Sequence, residues 1–92
     1  KEPLNPTYLD TYGWILFQMD NPKEAIVYIE KAIKNGAYSN GEVLEHYGDI
    51  MVKLGRCSEA VEAWGEAIKY NEVLKTSIEE KINTISINCN AK

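Results

Sequence analysis

Metal and thiol chemistry has little to work with in this chain: one histidine, His46, and two cysteines, Cys57 and Cys89, in 92 residues. Two cysteines are too few for a disulfide scaffold, and with one histidine they do not complete a four-ligand zinc set. They read as two unrelated free thiols, and no metal or cofactor is expected. Positive charge is also short, with 10 Lys and Arg against 14 Asp and Glu. A net charge of −4 argues against nucleic acid, whose phosphates need a basic face. No apolar run approaches the roughly 18 residues of a membrane span, and no signal peptide is visible. Because the chain starts at Lys1 rather than Met, a targeting segment upstream stays open. Alternation with period two is absent throughout, which leaves no strand.

What is present is an ordinary globular composition, 45% hydrophobic and 26% charged, and a repeat. Sliding the sequence by 35 places Leu9, Tyr12, Gly13 and Ile15 on Leu44, Tyr47, Gly48 and Ile50. The same shift places Glu24, Ala25, Ala32, Ile33 and Lys34 on Glu59, Ala60, Ala67, Ile68 and Lys69. The mismatches keep their apolar character: Tyr8/Val43, Leu16/Met51, Phe17/Val52, Met19/Leu54, Ile26/Val61 and Ile29/Trp64. A pattern of burial recurs, beyond the identities alone.

Each unit reads as two helices. Positions 8, 9, 12, 15, 16 and 19 follow helical spacing, as do 43, 44, 47, 50, 51 and 54. Asn5 caps the first helix with Pro6 behind it, and Asn21-Pro22 gives the same signal for the second. The second helix buries Ala25, Ile26, Ile29, Ala32 and Ile33, and Gly36 closes it. Ser39 with Glu42 predicts a capping box for the third helix, which Gly55 ends. The fourth runs from about Ser58 to Tyr70. Gly13 and Gly48 sit inside helices, where glycine costs about 1 kcal/mol, so their recurrence points to a close helix approach. After Tyr70, Leu74, Ile78, Ile82 and Ile85 give a fifth helix starting between Asn71 and Ser77. Glu79, Glu80, Lys81 and Asn83 supply its polar outer face, as a terminal cap requires.

On these residues the chain resembles the tetratricopeptide repeat family. Leu9, Tyr12, Gly13, Leu16, Ala25 and Ala32 match its motif in the first unit. Leu44, Tyr47, Gly48, Met51, Gly55, Ala60, Trp64 and Ala67 match in the second. The departures are Asp20 at the turn glycine, Pro22 and Cys57 in place of an aromatic, and Ile29 in place of another. Sel1-like repeats fit the compact Gly13–Ala25 and Gly48–Ala60 spacing poorly. Pentatricopeptide repeats, which bind RNA, lack this Gly/Ala pattern. The resemblance implies an all-α fold: an α-solenoid of two antiparallel helix–turn–helix repeats with a C-terminal capping helix. The divisions are 1–5 for the remnant of a preceding repeat, marked by Pro3, then 6–40 and 41–71 for the repeats. The capping helix takes 72–87, and 88–92 form a frayed tail. Two units are fewer than the roughly three such arrays usually need, so further repeats are expected upstream.

The resemblance also implies a protein–protein interaction module, since the first helix of each unit lines the family's peptide groove. Position by position, that concave face holds Asp10, Trp14 and Phe17, then Glu45 and Asp49, with His46 as a solvent-exposed neighbour. Its character predicts a basic or apolar peptide or protein partner. Family members that grip a C-terminal carboxylate use Lys, Arg and Asn where this chain has Asp10, Trp14 and His46. Tyr8, Tyr12, Ile15 and Met19 form a second face, for an upstream repeat or for self-association into a homo-oligomer. Catalysis is not expected: Cys57, Cys89 and His46 make no evident nucleophile–base pair, and the carboxylates lie on an open helical face. The stretch Asp10–Phe17 (DTYGWILF) resembles bacterial repeat proteins attached to the cell envelope.

Overall fold

The computed structural model describes residues 5–89. The protein is all-α, and no strand occurs among the described residues. Five α-helices follow one another: α1 Pro6–Gln18, α2 Pro22–Lys34, α3 Gly41–Lys53, α4 Cys57–Tyr70 and α5 Lys75–Cys89. Short 3-10 turns, Ala37–Ser39 and Glu72–Leu74, precede α3 and α5. The helices pair, α1 with α2 and α3 with α4; α2 against α3 joins the pairs and α5 lies on α4, giving an elongated body of 46 × 28 × 17 Å. No described helix is long and apolar enough to cross a membrane. Pro3 and residues 90–92, assigned above to a remnant and a tail, lie outside the described residues, and α5 runs on to Cys89 rather than ending at 87.

The helix boundaries follow local chemistry. The Asn5 side chain accepts from the amides of Thr7 and Tyr8, and Pro6 loses nothing by lacking an amide hydrogen at the first position. For α3 the cap is Asn40, not Ser39. Asn40 has extended backbone and accepts from Glu42 and Val43, whereas Ser39 is taken into the preceding 3-10 turn. Asn5 and Asn40 stand one repeat apart. Asn21 makes no capping bond to the backbone; its amide donates to Glu24 instead. The α1–α2 turn needs a left-handed residue, and Asp20 supplies it with φ of 64°. Its counterpart Gly55, with φ of 81°, does the same between α3 and α4.

Two apolar clusters hold the layers together. Leu16, Ile26, Ile29, Val43, Ile50 and Met51 share one with the small residues Ala25, Ala32, Ala60 and Ala63. Leu44, Trp64, Ala67, Ile78 and Ile85 form the other, between α3, α4 and α5. Burial of each large side chain contributes roughly 1.5–3 kcal/mol. The recurring glycines mark where the paired helices come closest. A Cβ on Gly13 would meet Ile29 at 3.0 Å, and one on Gly48 would overlap the Trp64 indole. Ile29 and Trp64 are themselves one 35-residue step apart, so the same close approach occurs twice.

Cys57 begins α4 and is disulfide-bonded, so the reading of two unrelated free thiols does not hold. Spacing alone could not reveal this, because it depends on what the fold brings to the start of α4.

Candidate functional site

The inward sides of α1, α3 and α5 meet in a chain of polar links. Asp10 on α1 lies 2.9 Å from His46 Nδ1 on α3. Lys81 on α5 donates to Glu45 on α3 at 2.7 Å and to both Asp49 oxygens at 3.0 and 3.1 Å. The two links obey one geometry: Asp10 to His46 and Glu45 to Lys81 both span 36 residues, one repeat apart. A carboxylate on one helix thus meets a nitrogen on the next helix of the same kind, twice over.

His46 is therefore not the solvent-exposed residue expected from sequence. Its side chain is only 24% exposed, because the ring stacks on Trp14 with centroids 4.0 Å apart. Trp14 also leans on Phe17, with centroids at 5.0 Å. Asp10, Trp14 and His46 form one unit that fastens α1 to α3. Lys81 departs from expectation as well: it points into the site rather than outward as part of a polar cap. The signal was in the sequence, since residue 81 follows His46 by the repeat length.

Electrostatics fit this packing. Burial pushes the Asp49 carboxyl above its ordinary range, and the hydrogen bond and charge of Lys81 recover only part of that shift. Burial works against the Lys81 charge, yet its bonds to Glu45 and Asp49 outweigh that penalty and raise its pKa overall. On another face, the Tyr47 hydroxyl donates to Glu30 at 2.9 Å. Burial first, then that bond, push Tyr47 from 10.0 up to about 12.

Beside Lys81 opens a groove of ≈ 520 Å³, with Phe17 from α1, Asp49 and Val52 from α3, Trp64 from α4, and Lys81 and Ile85 from α5. Ser77, Glu80 and Thr84 complete its lining. Of the five residues expected on the concave face, Phe17 and Asp49 line this groove directly. Glu45 joins through Lys81, while Asp10 and Trp14 lie to one side, held by His46. A second groove of ≈ 480 Å³ runs over Tyr47, Met51 and Glu62 and takes no residue from α1 or α5. No three His, Cys, Asp or Glu side chains among the described residues are grouped to hold a metal. The remaining expected residues, Tyr8, Tyr12 and Ile15 on α1 and Met19 at its C-cap, are exposed. No family model matches the chain, and neither does any curated protein or solved structure.

Proposed function

We propose that this chain is a helical-repeat interaction module, tetratricopeptide-like in design, that holds a peptide or protein segment between α1, α3 and α5. The observation that carries the reading is the ≈ 520 Å³ groove fed by residues from those three corresponding helices. Its lining combines an apolar floor, Phe17, Val52 and Ile85, with a few fixed polar groups, a pattern suited to peptide recognition. Support for the repeat comes from the recurrence at 35 residues in both sequence and contacts: Asn5 with Asn40, Gly13 with Gly48, Asp10–His46 with Glu45–Lys81.

The groove chemistry selects the partner. Glu45 and Asp49 are already engaged by Lys81, so the acidic face is less available than its residue types suggest. Glu80, exposed at the rim, is placed to meet a basic group. The partner is therefore a segment with an apolar anchor for the floor and a basic flank. Selecting displayed random peptides against the full chain tests this. Enrichment of apolar-plus-basic sequences, whose binding falls on Val52→Asp, supports the proposal. Enrichment of acidic peptides, or binding indifferent to Val52→Asp and Phe17→Asp, counts against it.

A further inference from the structure

The helix α5 is held differently from the two helices it corresponds to. Each of α1 and α3 is seated against the next helix through a glycine, Gly13 against Ile29 and Gly48 against Trp64. The α4–α5 pair has no such seat: Gly65, the one glycine of α4, has nothing within 4 Å of an added Cβ. Its buried anchors on α5 are Ile78 and Ile85, 0% and 6% exposed, which join the Trp64 cluster. Yet α5 supplies Ser77, Glu80, Lys81, Thr84 and Ile85 to the groove lining. A helix without a close-approach seat thus forms one wall of the proposed site.

A covalent bond meets this need. Cys57, the first residue of α4, is disulfide-bonded and packs against the same cluster as Ile85. The sequence has one other cysteine, Cys89, and α5 ends on it. The turn through Glu72–Leu74 joins the end of α4 to the start of α5. A bond from Cys57 to Cys89 closes the same pair of helices at its other end. We propose that this bond is a redox latch on the groove, an inference that rests on the groove being the binding site. Oxidised, it holds α5 on α4 and keeps Lys81 and Ile85 in the groove wall. A dithiol opens it by exchange: one thiolate of the reductant attacks a sulfur, the S–S bond breaks and a mixed disulfide forms. The second thiol of the reductant then closes its own disulfide, so two electrons and two protons pass to Cys57 and Cys89. Opening the covalent loop returns to the unfolded chain the freedom that closure had removed. The end of α5 is then free to leave α4, and the groove loses that wall.

Mass-spectrometric peptide mapping of the unreduced full chain reads the pairing first. Linked peptides carrying Cys57 and Cys89, from a monomeric species, are expected. Hydrogen exchange then compares the oxidised chain with the chain reduced by dithiothreitol and alkylated. Amides of α5 should exchange about tenfold or more faster after reduction, while those of α1 and α2 keep their rates. A double variant, Cys57→Ser with Cys89→Ser, should match the reduced chain and ignore the dithiol, with circular dichroism checking its fold. Affinity for a selected apolar-plus-basic peptide should fall about tenfold or more on reduction, as the binding-competent fraction falls. A bond that joins two copies overturns the proposal, as does α5 exchange unmoved by reduction. A rise shared equally by α1 and α2 also overturns it, because it marks a global loss of stability rather than a latch on α5. If neither form binds peptide, the groove reading fails and the exchange result alone decides the latch.

Discussion

Gly48→Ala should destabilise the protein although alanine is the better helix former. The change gains about 1 kcal/mol of helix propensity. Against this, the new Cβ overlaps the Trp64 indole, which is only 2% exposed. Overpacking of that kind costs about 1–3 kcal/mol. Displacing the ring also threatens the bond from Trp64 Nε1 to the Glu45 carbonyl at 3.2 Å, worth about 0.5–1.5 kcal/mol. The net loss is about 1–3 kcal/mol, and each kcal/mol lowers Tm by about 4–8 °C at this size. Gly65→Ala is the control: it lies in α4 with nothing within 4 Å of the added Cβ, so it should stabilise by about 0.5–1 kcal/mol. Urea unfolding followed by circular dichroism compares the two. A Gly48→Ala protein as stable as the parent would refute the close-approach reasoning.

Lys81→Met keeps the side-chain length but strands Glu45 and Asp49, which are 15% and 18% exposed. A loss of about 1–3 kcal/mol in urea unfolding is expected, and no loss would mean the link contributes nothing net. At high pH, Tyr47 and Lys81 act with the same sign, since both folded pKa values are raised. The Tyr47 contribution is complete below pH 10 and is lost as pH rises through its folded value of about 12. Because Tyr47 is half-buried, solvent screening limits its share to about 1 kcal/mol or less. Tyr47→Phe should remove a tyrosine titrating at about 12 from an ultraviolet-absorbance titration, and an unchanged curve would contradict the assignment. Cys57→Ser should cost about 2–4 kcal/mol, and reduction of the parent should produce the same shift in Tm. If reduction leaves Tm unmoved, the disulfide does not support the fold.

The parts of the fold legible in sequence are those set by short-range chemistry. Pro6 and Pro22 start helices, while Gly36 and Gly55 end them with positive φ, because each residue's own backbone preference decides the matter. Gly13 and Gly48 were readable as close approaches because their cost in a helix demands a reason. The Asn40 cap was missed because choosing it over Ser39 requires knowing that Ala37–Ser39 turn first. The site was harder to read. Phe17 and Asp49 follow from helical geometry, but the partners of the acidic residues depend on how the helices stack. Nothing local distinguishes Lys81 from a solvated cap residue; only carrying the 35-residue step past the second unit would have set it beside Glu45. His46 looked exposed for the same reason, since its cover is Trp14 from another helix.

Amide chemical-shift mapping on the labelled chain reads whether the groove between α1, α3 and α5 receives a partner segment. The probe is a selected peptide with an apolar anchor and a basic flank. The largest shifts are expected at Phe17, Asp49, Val52, Lys81 and Ile85. Shifts centred on Tyr47, Met51 and Glu62, or scattered without a centre, would contradict binding in this groove.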